Sequence, residues 1–425
     1  MKRFMSTLAL AGMWLALAGC HTMVRGSVDP LRMRVASILR DTPLVDGHND
    51  LNIHYHACRE GCPRGFDAYD IGGHVSGHTD IPRWQQGMVG AQLLNSGWLD
   101  SEPDLAGTLK GFAFTRAMAA RYSDRLAMAR TSADVRTVHA TGKIAILLAL
   151  EDPDRLGTDE AGIKRLAAEG LRSDILAYEE PSDLADGHAG PMKFGGLSPQ
   201  GGKVVRWMQE NGILVDLSHA SADTARDVLD QAIAPVIFSH SSASALCDVS
   251  RNVPDDVLRR MSANGGIVMV SFVPEFTRKA YSDWYDAGGV YATQLLREYD
   301  GNREATRPLM DAWEKAHPAP PVTVADVADH VEHVRDIAGI DHVGIGSDFD
   351  GIDFTISGLE DVSKFPSLLE ELARRGWSDA DLHKVAGENF LRVLDVADAV
   401  RDASRQTSQL SDSVPGPGTL ETGHR

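Results

Sequence analysis

Five apolar runs of this chain end in His, Asp or Glu. They read Val45-Asp46-Gly47-His48-Asn49-Asp50, Ala149-Leu150-Glu151, Asp216-Leu217-Ser218-His219, Ile237-Phe238-Ser239-His240 and Gly346-Ser347-Asp348. His48 and Asp50 are two apart, so an extended segment projects them to one side. His219 and His240 lie 21 residues apart, room for one helical crossover between neighbouring strands. Glu151 has two carboxylate oxygens and can bridge two cations. The set divides into His48, Asp50 and Glu151 on one metal, and Glu151, His219 and His240 on the other. Nitrogen and oxygen donors without thiolate suit two Zn²⁺, with Mn²⁺, Co²⁺ or Fe as other options. Two metals would hold a bridging water and lower its pKa, making hydroxide available near neutral pH. A lone strand-end His is ordinarily a hydrogen-bonded core or loop residue, but one metal centre accounts for this whole set. Asp348 reads as a catalytic carboxylate or as a helix cap. Asp46 reads as an acceptor orienting His48 or as a turn cap.

These side chains need a scaffold that brings strand ends together. Eight β-prone runs alternate with helical stretches: Pro43–Gly47, Met88–Asn95, Lys143–Leu150, Leu171–Ala177, Gly212–Ser218, Pro235–Ser239, Gly266–Phe272 and Val343–Ser347. Continuous apolar runs such as Ile144–Leu150 suit parallel strands buried on both faces. Segments such as Leu105–Asp124, Ala161–Glu169, Ser221–Gln231 and Val324–Ile337 read as helices, the last with Thr323 as N-cap. Asp255–Ser262 follows Pro254, which suits a helix start. Eight βα units fit an α/β fold of the (β/α)₈ TIM-type barrel class with loop insertions, spanning 41–400. In such barrels catalytic residues sit where strands end. An open doubly wound sheet is the other option, but no Gly-rich nucleotide loop opens a helix after a strand.

Of 425 residues, 43% are hydrophobic and 24% charged, ordinary for a globular protein. The formal net charge is −18, which argues against nucleic acid or anionic lipid headgroups as the main partner. Residues 1–19 form a signal peptide: Lys2 and Arg3, an apolar core, then Leu17-Ala18-Gly19 before Cys20. That end resembles the bacterial lipobox, which makes Cys20 a lipidation site and the membrane a partner only through that anchor. An ordinary cleaved signal with a chance Cys is the competing reading. Loss of Lys2 and Arg3 takes the net charge from −18 to −20. His21 after the Cys slightly favours the outer membrane, facing the periplasm. In that oxidising compartment Cys58 and Cys62 could pair, leaving Cys247 free, although spacing alone does not give the Cα geometry. Residues 20–40 read as a tether entering a first amphipathic turn, and 401–425 as a disordered tail.

Several motifs in order resemble the membrane (renal) dipeptidase family, zinc barrels of the amidohydrolase superfamily. They are Val45-Asp-Gly-His-Asn-Asp-Leu51, His78-Thr-Asp-Ile-Pro-Arg83 with Gly87-Met-Val-Gly-Ala-Gln92, Gly142-Lys-Ile-Ala145 leading to Glu151, Val215-Asp-Leu-Ser-His219, Phe238-Ser-His-Ser241, Arg251-Asn-Val-Pro254, Gly344-Ile-Gly-Ser-Asp-Phe-Asp-Gly351 and Gly387-Glu-Asn-Phe-Leu-Arg392. The resemblance runs from about Pro43 to Val393. It implies His48, Asp50, Glu151, His219 and His240 as metal ligands, Arg251 as the partner of the substrate carboxylate and Asp348 as the proton shuttle. It also implies a homodimer. The sequence departs from the family pattern around the substrate. Where the family usually has a substrate-contacting His after its fourth strand, a gapless match puts Tyr178, followed by Glu179 and Glu180. Asp152-Pro153 replaces the usual Gly-Gly after the bridging Glu, and Val249 stands where a His often precedes the arginine motif.

Three functions follow. The first is a zinc dipeptidase, with L,D-dipeptides from cell-wall turnover as plausible substrates. The second is a sister amidohydrolase acting on another small amide, such as an N-acyl amino acid or lactam. The third is a non-catalytic envelope scaffold, which has no need of all five ligands and Asp348.

Overall fold

The computed structural model describes residues 29–56, 65–97 and 103–413. Cys20, Cys58 and Cys62 lie outside the described residues, and Cys247 is a buried free thiol.

The strands are β1 (Leu44–Asp46), β2 (Val89–Asn95), β3 (Leu126–Met128), β4 (Ile144–Ala149), β5 (Leu171–Ile175), β6 (Leu214–Asp216), β7 (Ile237–Phe238), β8 (Ile267–Val270) and β9 (Val343–Ile345). Omitting β3, each pairs in parallel with the next, and β1 pairs with both β2 and β9. The sheet therefore closes, with helices between the strands: a (β/α)₈ barrel, as the sequence predicts.

Strand period 2 explains why the runs are apolar throughout. Ala145, Leu147 and Ala149 join the inner layer with Val45, Ala91, Leu93, Ile237 and Met269. Their neighbours Ile144, Ile146 and Leu148 pack outward against the helices. Gly47 and Gly346 mark close approach inside the barrel, where a Cβ at either would collide with the Ser239 carbonyl oxygen.

The helix Asn389–Ser413 crosses the opposite end from the catalytic candidates. Asn389 Nδ2 donates to the carbonyls of Ile340 (2.7 Å) and Val343 (2.9 Å), and Arg392 Nη1 donates to that of Gly265 (2.6 Å). Phe390, Leu391, Val393, Leu394 and Ala397 join the inner layer.

Four differences from the sequence reading stand out. Strand β3 was not expected: it is three residues long and pairs with the first half of β4. The helices Lys279–Glu298 and Arg303–Ala316 form an unforeseen hairpin between β8 and β9. Residues 30–41 are a helix rather than a tether, capped by Asp29, with Pro30 at its start and Val35, Ile38 and Leu39 buried. Residues 401–413, expected in the tail, continue the closing helix. Once its packed turns are nucleated, each further residue adds a backbone bond at little cost.

Candidate metal centre

All six predicted side chains stand just past strand ends on one face: His48 and Asp50 after β1, Glu151 after β4, His219 after β6, His240 after β7 and Asp348 after β9. Backbone contacts between loops fix the approach. Asp50 N donates to Phe349 O (2.9 Å) and Asp348 N to His48 O (3.3 Å), joining the β1 and β9 ends. His219 and Asp348 have left-handed backbones, φ 66° and 67°, a conformation that His and Asp adopt more readily than most residues and that recurs at functional sites.

The donor atoms converge as two groups on one carboxylate. Glu151 Oε1 is 3.0 Å from His219 Nε2 and 3.1 Å from His240 Nε2, and those nitrogens are 3.0 Å apart. Glu151 Oε2 is 3.3 Å from His48 Nε2, which is 3.2 Å from Asp50 Oδ2 and 3.9 Å from Asp348 Oδ1. Bonds of roughly 2.0–2.1 Å in a tetrahedral shell give donor separations of about 3.3 Å. Two Nε2 atoms facing each other at 3.0 Å repel unless a proton or cation lies between them. Asp50 and Glu151 are buried with this cluster, where uncompensated carboxylates are costly. The donor set fits divalent metal.

Burial holds the Asp348 carboxyl well above its ordinary range, reinforced by Glu151 and Asp50 and opposed by His48 and Arg251. Burial pushes the His240 imidazole down, and the charge on His48 adds to that.

Arg251 is buried, which rules out a surface ion pair. Its Nη1 donates to Ser241 Oγ (2.6 Å) and its Nη2 to His240 O (3.1 Å), and its guanidinium carbon lies 5.3 Å from the Phe276 ring centre. Among the described residues it has no carboxylate partner within ion-pair distance, and Nε is unpartnered. Tyr178 stacks on His219, ring centres 4.5 Å apart. Its phenol is pushed up by desolvation against His219, with Glu151, Asp348 and Asp50 adding to the shift, and its hydroxyl can donate to a developing oxyanion. Glu151 and Tyr178 border a cleft of about 510 Å³ whose other walls include Asp152, Glu180, Asp183 and Lys193. That volume suits a small ligand. Asp154 also lines this cleft.

Asp46 does not orient His48. Its carboxylate accepts from Ser347 N (2.7 Å), Ser347 Oγ (2.8 Å) and Gln92 Nε2 (2.9 Å), tying three barrel strands together. Burial raises its carboxyl to about 6.

Sequence reasoning missed Asn95, whose Nδ2 donates to Asp50 Oδ1 (2.8 Å) and lies 3.4 Å from Glu151 Oε2. The signal was available, because Asn95 is the last residue of its run, but an amide was not counted among strand-end groups. Glu179 and His188 were also missed, since nothing in loop spacing marks them.

Glu275, just past β8, is pushed up to about 7 by burial, with Asp353 and Asp286 adding to the shift. A raised carboxyl contributes stability that is complete below its unfolded pKa, near 4.5, and is lost as pH rises through about 7. Glu275→Gln is therefore expected to raise the melting temperature by a few degrees at pH 8 and to change little at pH 4.5. Equal shifts at both pH values, measured by calorimetry, would refute this.

A model of the membrane dipeptidase family (peptidase family M19) matches residues 32–408. The chain belongs to that family. The dipeptidase verJ of Clonostachys rogersoniana is 35% identical over 391 residues, 88% of this chain and 89% of the relative. Two solved structures share the fold. The probable dipeptidase PvdM of Pseudomonas aeruginosa has a TM-score of 0.72 at 22% identity, covering 87% of this chain and 99% of that one. A metallopeptidase of Rhodobacter sphaeroides, liganded with a phosphinate mimic of the dipeptide L-Ala-D-Ala, has a TM-score of 0.66 at 24% identity, covering 84% of this chain and 100% of that one. Membership of the membrane dipeptidase family makes this chain a hydrolase of the metallo-dipeptidase class, with a metal cofactor.

Proposed function

We propose that the protein is a binuclear zinc dipeptidase that cleaves dipeptides with a free C-terminal carboxylate. The observation that carries this is Arg251, a buried guanidinium beside the donor cluster with no carboxylate partner among the described residues. A desolvated cation of this kind favours an anionic ligand, and its fork matches a carboxylate. His48, Asp50 and Glu151 would hold one metal, and Glu151, His219 and His240 the other.

When bound, the metal pair supplies an acidified water and a Lewis acid at the scissile carbonyl. Arg251 grips the carboxylate and sets the register of the peptide bond. Asp348 takes a proton from the attacking water and hands it to the departing amine. Tyr178 offers its hydroxyl at the cleft mouth, where the family usually has a histidine.

L,D-dipeptides from cell-wall turnover are our preferred substrates. The expected lipid anchor at Cys20 and a periplasm-facing location would put the enzyme beside that material. The similarly folded metallopeptidase from R. sphaeroides binds an L-Ala-D-Ala mimic. The changed loop at Tyr178 keeps another small amide as the alternative substrate class.

The test is a panel of L,L- and L,D-dipeptides with the soluble form beginning after Cys20 and zinc supplied. Turnover of L,D-dipeptides supports the reading. No turnover of any dipeptide by protein carrying two metals overturns it. Arg251→Lys should raise KM by about 10- to 100-fold with a smaller change in kcat, as expected for losing a charge-assisted pair. A C-terminally amidated dipeptide should suffer the same loss with wild-type enzyme. An amide hydrolysed as well as the acid would remove Arg251 from carboxylate binding.

A further inference from the structure

We propose that Glu179 is a positioning residue that fixes the ring and tautomer of His219 and so strengthens one metal position selectively. The inference rests on the metal-centre reading above. Glu179 Oε1 lies 3.2 Å from His219 Nδ1, while His219 Nε2 faces Glu151 and His240. Glu179 Oε2 lies 2.8 Å from His188 Nε2, and His188 Nδ1 lies 3.0 Å from Ser250 Oγ.

One assignment of protons satisfies every link. Ser250 donates its hydroxyl proton to His188 Nδ1. His188 donates Nε2–H to one oxygen of Glu179. His219 donates Nδ1–H to the other, which leaves the lone pair of His219 Nε2 free for a cation. A carboxylate behind a ligating imidazole holds its orientation and raises its donor strength.

Glu179 is half exposed, so its aim needs support. His188 supplies it and is itself fastened by its backbone, since His188 N donates to His219 O at 2.7 Å. The other two candidate ligand histidines lack such a partner among the described residues. His240 Nδ1 meets the neutral Ser239 hydroxyl at 2.7 Å, and no carboxylate backs His48 Nδ1. Glu179 should therefore act on the His219–His240 position and not on the His48–Asp50 position.

The experiment measures zinc stoichiometry and the two affinities by chelator competition for the wild type, Glu179→Met and Glu179→Gln. Glu179→Met is expected to weaken one site by about 10- to 100-fold and to leave the other within about threefold. Glu179→Gln keeps an acceptor without the charge and should fall between. If Glu179→Met does not fold, as judged by the melting curve of the metal-free protein, the Gln variant alone decides. Equal weakening of both sites, or no change in either, overturns the proposal while leaving the metal centre intact. A third zinc equivalent lost with Glu179 would make it a ligand and likewise overturn its positioning role. A wild type that binds no zinc overturns the metal-centre reading and this inference together.

Discussion

Glu151→Gln is expected to empty both metal positions at once and to take hydrolysis below detection. Its two oxygens face different groups: Oε1 the His219 and His240 pair, Oε2 His48. A glutamine retains one acceptor and turns an NH₂ donor toward whichever group it does not serve. It also removes the negative charge that two cations would share. Loss of a buried charge with partners on both sides exceeds the cost of any single peripheral ligand. Elemental analysis after gel filtration should find fewer than one zinc per chain, with kcat/KM reduced by at least about 10⁴-fold. Substituting His48 alone should cost mainly one metal. Two zinc equivalents in Glu151→Gln would end the bridging assignment.

Asp348→Asn is expected to separate chemistry from binding. Asp348 Oδ1 is 3.9 Å from His48 Nε2, farther than the other donors in that group, which suits a group working beside the metals. Burial raises its carboxyl, whereas a nearby dication would pull it back down, and the opposed effects favour a group able to exchange a proton. The amide cannot accept the water's proton. The expected loss is about 10²- to 10⁴-fold in kcat, with KM and zinc content nearly unchanged. The measurement is a steady-state profile from pH 5 to 9 alongside metal analysis. Loss of a zinc equivalent from the variant would reassign Asp348 as a ligand, and unchanged kcat would remove it from proton transfer.

The polar strand ends were legible because a parallel strand buried on both faces leaves few polar residues inside it. The first ones after the run therefore stand out, as at Leu150-Glu151 and Phe238-Ser239-His240. What could not be read were partnerships across long sequence separation. Asp46 looks like a neighbour of His48 in sequence, yet it bonds to Ser347, 301 residues away. Glu179 and His188 belong to a loop whose path is set by packing rather than by period. Strand β3 is too short to show alternation. The expected tether and tail contain helices: Asp29 caps the first, and the second continues the packed closing helix, features that polar composition conceals.

The closing helix has a consequence for the order of events during synthesis. Phe390, Leu391, Val393 and Leu394 complete the barrel's inner layer, and they leave the ribosome after every strand of the barrel. A nascent chain halted before them has all eight barrel strands but no floor. Its inner layer, which includes Val45, Ala91, Leu147 and Ile267, then faces solvent at one end. Such an intermediate exposes apolar surface, the condition under which chains aggregate or engage chaperones. The inner layer is thus completed only by residues that follow every candidate metal ligand in the chain.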